Sequence, residues 1–348
     1  MGNAFTCAPD GLSPRSKTIH YARAKHTFRC AGALPFNPTA FTTMTTSPAP
    51  AAKPLRPLKG VRIVSLALNL PGPAALMRLQ AMGAACVKLE PPAPAAAPAG
   101  SSGDPMGLYN PTAYATLHQG IKTRSADLKT AAGQKVLHSA LAKADVLITS
   151  FRPSALKKLG IDWATLRHLY PALCLLEIVG APDARAEEPG HDLTYLAEAG
   201  LVQGMDMPPS LYADMGGSLM ASEAVLQARL AQLKTGKGVR LQVALSDAAH
   251  YLALPRTWGL TTPGAAVGGG HAGYRVYACK NGRVAVAALE PHFAKSLCLQ
   301  AGVAESGVKS MMSAATHAAV AAWAASKTRA QLDALGAKHD IPLYTLAR

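Results

Sequence analysis

Between Val61 and Leu89 the hydrophobic period of the chain changes twice, and this constrains the fold more than any other feature. Val61 to Leu66 (V-R-I-V-S-L) alternates as a strand does. Ala74 to Met82 follows the Pro71-Gly72-Pro73 turn, carries helical spacing and stops at Gly83. Ala85 to Leu89 (A-C-V-K-L) alternates again until Glu90-Pro91-Pro92 ends it. A strand, a helix and a strand in so short a span form a βαβ unit, which requires parallel strands and a right-handed crossover. The pattern continues. Asp127 to Lys143 reads as a helix, Asp145 to Ile148 as a strand, and Ser154 to Leu159 and Trp163 to Leu169 as short helices. Leu173 to Val179 reads as a further strand. Helices are expected at Asp192 to Gly200 and Gly217 to Leu233, and a strand at Arg240 to Ala244. Such alternation predicts a doubly wound α/β fold. Tyr274 to Ala278 and Arg283 to Ala288 then predict a hairpin joined through Lys280-Asn281-Gly282 with an Asn-Gly turn, before an Ala-rich helical end.

Composition narrows the function. The chain has 348 residues, 49% hydrophobic and 16% charged, enough for one large α/β domain or two domains sharing a core. Its formal net charge of +15 favours polyanionic partners such as phosphorylated ligands. The charge is dispersed, and no Lys/Arg block with interleaved aromatics points to nucleic acid. No apolar run is long enough to cross a bilayer. The 6 cysteines form no C-x-x-C pair and have no histidines at zinc-ligand spacing, so free thiols, a reducing cytoplasm and no metal are expected. There is no G-x-G-x-x-G or P-loop; the first βα turn reads P-G-P, against a nicotinamide or P-loop nucleotide enzyme. Residues 1–54 hold Asp10 as their only acid, with no sustained period and no apolar core of a secretory signal. They are expected to be a disordered or spurious N-terminal extension, with Met44 an alternative start. The expected organisation is that extension, a large α/β domain over 55–255 and a small α+β domain over 256–348.

Several stretches, taken in order, resemble CoA-transferase family III, the CaiB/BaiF superfamily that includes the α-methylacyl-CoA racemases. They are L-K-G-V-R-I-V, P-G-P-A-A-L-M-R-L-Q-A-M-G-A, V-K-L-E-P-P, R-S-A-D-L-K and A-D-V-L-I-T-S-F-R-P-S. Then follow G-H-D-L-T-Y-L-A-E-A-G, L-Y-A-D-M-G-G-S-L-M, T-G-K-G-V-R-L-Q-V-A-L-S-D and G-G-G-H-A-G-Y-R-V-Y-A-C-K-N-G with L-E-P-H-F. G-H-D is closest to the racemase branch. The resemblance implies a Rossmann-like large domain, a smaller domain, an interlocked homodimer, an acyl-CoA substrate and no permanently bound cofactor. Members of this type usually continue past the point where this chain stops, so the C-terminal part is expected to be incomplete.

The resemblance also implies roles for individual residues. His191 of G-H-D and Asp214 of L-Y-A-D-M-G-G match the opposing bases that invert the α-carbon of a 2-methylacyl-CoA. Asp192 matches an acid that orients the histidine, and Glu290 of L-E-P-H-F a carboxylate reaching the site across the dimer. Lys88, Lys122, Arg124 and Arg152 are candidates for the CoA phosphates, because polyanions need cationic donors. Read without the resemblance, His191 is equally a loop histidine and Asp214 a helix N-cap. Met205, Met207, Met215 and Met220 read either as core or as an adaptable acyl surface. Two alternatives to racemisation stay open. One is CoA transfer through an acyl intermediate on Asp214. The other is an inactive CoA-binding homologue.

Overall fold

The computed structural model describes residues 55–98 and 100–347. The expectation for residues 1–54 lies outside the described residues. The first half of the described chain runs β1 (Arg62–Ser65), α1 (Pro71–Ala81), β2 (Ala85–Glu90), α2 (Pro105–Tyr109), α3 (Pro111–Leu117), β3 (Lys122–Ser125), α4 (Ala131–Leu141) and β4 (Val146–Thr149). It continues through α5 (Pro153–Lys158), α6 (Trp163–Leu169), β5 (Cys174–Val179), α7 (Asp192–Glu198), α8 (Tyr212–Thr235), β6 (Arg240–Ala244) and α9 (Leu245–Thr257). All six strands are parallel, in the order β3-β2-β1-β4-β5-β6. This is the doubly wound arrangement of a dinucleotide-type sheet.

The central strands are apolar on both faces because helices cover both. Ile63, Val146, Ile148, Cys174, Leu176 and Ile178 pack on one side against Leu76 and Leu79 of α1 and Ala221, Ala224 and Val225 of α8. Val64, Leu147 and Leu175 point to the other side, against Leu137 and Leu141 of α4, Leu156 of α5 and Leu166 of α6. Each buried Val, Leu or Ile among them contributes about 1.5–3 kcal/mol. Small residues let α8 approach closely. A β-carbon at Gly217 would overlap the Leu245 side chain. Pro71 opens α1, where its missing N–H costs nothing.

The remainder forms a second, antiparallel sheet, β7 (Tyr274–Cys279), β8 (Gly282–Ala287) and β9 (Leu343–Leu346), in the order β7-β8-β9. Helices α10 (Pro291–Ala301), α11 (Val308–Met311), α12 (Ala314–Ala325) and α13 (Arg329–His339) accompany it. Its core, including Val284, Val286, Leu297, Trp323 and Leu332, is separate from that of the first sheet.

Several expectations are corrected. Cys279 pairs with Gly282, so the hairpin loop is Lys280-Asn281 and the glycine belongs to β8. Gly282 is needed there because a β-carbon would strike the Leu346 carbonyl of β9. β3 and β9 were not foreseen. α8 begins at Tyr212, five residues before its apolar spacing becomes regular, so Asp214 lies inside the first turn and Leu211 is the N-cap. Met205, Met207 and Met215 are exposed, at 100%, 70% and 40%, and are not core, whereas Met220 packs partly buried against the main core. The described cysteines, Cys86, Cys174, Cys279 and Cys298, are buried free thiols. No helix among the described residues is long and apolar enough to cross a membrane.

Candidate active site

Strand order reverses at β1: β2 and β3 lie on one side of it, β4 to β6 on the other. Loops leaving β1 and β4 therefore diverge and open a crevice at the carboxyl ends of the strands, where ligands of such sheets bind. A cavity of about 180 Å³ lies there. Asn69 and Pro71 line it from the β1 loop, Arg152 from the β4 loop, His191 and Tyr195 from α7, and Asp214 from α8. A drug-sized ligand needs roughly 300 Å³ or more, so this space takes only one end of a large molecule.

Residues 23 apart in sequence meet here because α7 and α8 pack together at the same end of the sheet. His191 is the exposed N-cap of α7. Its backbone N–H donates to Thr194 Oγ1 at 3.1 Å, which fixes the start of the helix. Among the described residues its ring makes no hydrogen bond. Asp192 is 5% exposed, and its Oδ1 accepts the Asp214 backbone N–H at 2.9 Å. It supports the first turn of α8 rather than the histidine ring, which corrects the expectation that it orients His191. The Asp214 carboxyl makes no hydrogen bond among the described residues. Burial, reinforced by the negative charge of Asp192, pushes its pKa up to about 7.

The expected phosphate-binding cations separate. Arg152 lies in the cavity wall, at the N-cap of α5. Lys122 and Arg124 are exposed on the edge strand β3, two strands from β1. Arg124 lines a neighbouring polar cleft with Glu90, Ser102 and Tyr114. Lys88 is fully buried, and the expectation for it is corrected. Its ammonium meets Asp104, Glu90 Oε1 at 3.0 Å and His118 Nε2 at 2.9 Å, and lies 5.4 Å from the Tyr114 ring centre. Three donors meet three acceptors, so none is left for a phosphate. Glu90, Asp104 and His118 also have the spacing of a metal site, but their ligand atoms converge on Lys88 Nζ. Glu290 is exposed at the N-cap of α10, beside the second sheet and outside the cavity lining of this chain.

Sequence reasoning missed Tyr195 and Asn69. Tyr195 follows His191 by one helical turn, so i, i+4 spacing on α7 was its signal. Asn69 adopts φ 62°, and its N–H donates to the Asp104 carboxylate at 3.1 Å and 3.2 Å. The Lys88 cluster therefore holds one wall of the cavity.

The profile of CoA-transferase family III matches residues 58–347. A cinnamoyl-CoA:phenyllactate CoA-transferase of Clostridium sporogenes is 31% identical over 204 residues, covering 55% of this chain and 50% of that protein. An alpha-methylacyl-CoA racemase of Mus musculus is 29% identical over 276 residues, covering 74% of this chain and 68% of that one. The crystal structure of a hypothetical protein from Mycobacterium tuberculosis has a TM-score of 0.70 at 25% identity, with 85% of each chain covered. The chain spans about half the length of several curated relatives, the clostridial transferase among them.

Proposed function

The chain belongs to CoA-transferase family III, and on that premise we propose that it inverts the α-carbon of 2-methylacyl-CoA thioesters by proton transfer between His191 and Asp214. The observation that carries this reading is that both side chains line one cavity at the strand-order reversal, neither tied up by a hydrogen bond among the described residues. Inversion needs a base on one face of the carbon and a proton donor on the other. The base takes the α-proton, and the electrons of the broken C–H bond pass into an enolate. The group opposite then delivers a proton to the other face. A carboxyl poised near neutrality serves in either direction.

Coenzyme A enters as part of the substrate, and no permanently bound cofactor is invoked. The cavity receives the thioester end, while the nucleotide lies outside with Arg152 at its phosphates. A homodimer would let Glu290 of a second copy reach the site; that contribution belongs to the same proposal. The longer of the two curated matches described above, to the mouse racemase, supports this reading.

The clostridial match favours a second reading, CoA transfer. There the Asp214 carboxylate attacks the thioester carbonyl, a C–O bond forms as the C–S bond breaks, and CoA leaves as thiolate, with the acyl group held on Asp214 as a mixed anhydride. Incubation with a 2-methylacyl-CoA in D2O, followed by mass spectrometry, separates the two. Racemisation predicts deuterium at the α-carbon with interconversion of the two enantiomers, the interconversion being lost in both Asp214→Ala and His191→Ala. Transfer predicts no such exchange, trapping of Asp214 by hydroxylamine, and survival of activity in His191→Ala.

A further inference from the structure

We propose that Tyr195 is a catalytic residue of this site, its hydroxyl being the hydrogen-bond donor that holds the thioester oxygen as negative charge develops there. The proposal rests on the enolisation chemistry above and assigns that chemistry a group not yet accounted for. Tyr195 lines the same cavity as His191 and Asp214. Its ring is anchored in the main core at 6% exposure, with Leu196 and Ala213 among the residues of that core.

The hydroxyl is unusual for so buried a tyrosine. Tyr277, also 6% exposed, donates to the Ala272 carbonyl at 2.7 Å, and Tyr114 donates to Glu90 at 2.7 Å. Tyr195 has no partner for its hydroxyl among the described residues, yet its oxygen is not among the sealed, unpartnered polar atoms. It therefore opens onto the cavity. Phenol hydroxyls at such positions ordinarily find a partner, and here the space available for one is the ligand site.

Two glycines make room for it. Neither Gly180 nor Gly190 has a left-handed backbone, so conformational freedom does not explain them. A β-carbon at either would overlap the Tyr195 hydroxyl, and at Gly190 the ring carbons as well. One follows β5 and the other precedes His191. Together they form a slot that directs the phenol to where the reacting end of the thioester is proposed to lie.

The chemistry balances without a further reactant. As the base removes the α-proton, the C–H electrons form a carbon–carbon double bond and the carbonyl π electrons move onto oxygen. Tyr195 stabilises that oxygen and keeps its own proton. When the opposite face is protonated, the electrons return. Burial and the neighbouring Asp214 charge hold the phenol above its ordinary ionisation range, with Arg152 opposing, so it acts as a donor and not as a third base.

Removing one such donor slows turnover by about 10²–10³-fold. The test compares wild type, Tyr195→Phe and Gly190→Ala, as full chains, in α-deuterium exchange and in equilibrium binding of CoA. Tyr195→Phe is expected to lower the exchange kcat by about 10²-fold or more, with KM and CoA affinity changed less than about threefold and melting unchanged. Gly190→Ala, which displaces the phenol, is expected to lose kcat as well. Exchange in Tyr195→Phe within twofold of wild type overturns the proposal. So does a loss expressed only in KM, or failure of that variant to fold, since either gives the hydroxyl a structural partner. Absence of exchange in wild type overturns the enolisation reading itself and is distinguishable from all of these.

Discussion

Two groups of charged side chains lie toward the carboxyl ends of the parallel strands, and they are built on opposite plans. Around Lys88 every donor has an acceptor. The ammonium meets Asp104, Glu90 and His118, while Ser102 and Tyr114 donate to the second oxygen and the first oxygen of Glu90 at 2.5 Å and 2.7 Å. The His118 Nδ1 faces the Tyr114 carbonyl at 2.7 Å, which leaves Nε2 free to accept from Lys88. Around Asp214 the account does not close. Among the described residues its carboxyl has no donor and the His191 ring is unbonded, while a second carboxylate supports the same helical turn. A buried charge with complete partners is fixed in place and chemically quiet. One without them is held near its switching point and is available to a ligand.

The sharpest way to break this comparison is Lys88→Met. Two buried carboxylates would lose their cation, and the expected cost is about 3–5 kcal/mol, read from denaturant unfolding. Glu90 is held below its ordinary range, chiefly by Ser102 and Lys88 against the opposing effect of burial. The stability it contributes is present above the ordinary carboxylate range and lost as pH falls through its lowered value. The cost of Lys88→Met should therefore shrink in acid. A loss of less than about 1 kcal/mol at pH 7 would mean that the cluster is not the closed unit described here.

Asp214→Asn should do the reverse. A carboxyl raised to about 7 binds its proton more tightly folded than unfolded, so its stability contribution is complete below about pH 4 and lost as pH rises through 7. Removing the charge should stabilise the protein at pH 8 by on the order of 4 kcal/mol and have little effect at pH 4. Melting temperatures at the two pH values check this. Destabilisation at pH 8 would show that Asp214 has a partner after all. The smallest effect concerns the surface. Arg152→Ala should weaken CoA binding about tenfold, whereas Lys122→Ala should leave it within about twofold, by calorimetry. Equal losses would extend the nucleotide path to the edge strand.

The sequence displayed its parallel core plainly because central strands such as C-L-L-E-I-V are apolar on both faces and bounded by turns. β3 was hidden for the opposite reason. Its four residues, K-T-R-S, are all exposed at the sheet edge and carry no hydrophobic signal. Lys88 was misjudged because lysine is ordinarily a surface residue. Its partners, Asp104 and His118, lie 16 and 30 residues further on and reach it only through the fold. The meeting of His191 with Asp214 could not be read from spacing either. It came from resemblance, since the helices that bring them together are separated by a loop with no period of its own.

The left-handed turn at Asn69 gives the Lys88 cluster a consequence beyond folding. A non-glycine residue in that conformation is strained, and the Asp104 carboxylate that offsets the strain is the one that meets Lys88. Positions 69, 88 and 104 thus form one inheritance unit. In a randomised library selected for turnover, changes at these three positions should arise together or not at all, although only Asn69 lines the cavity.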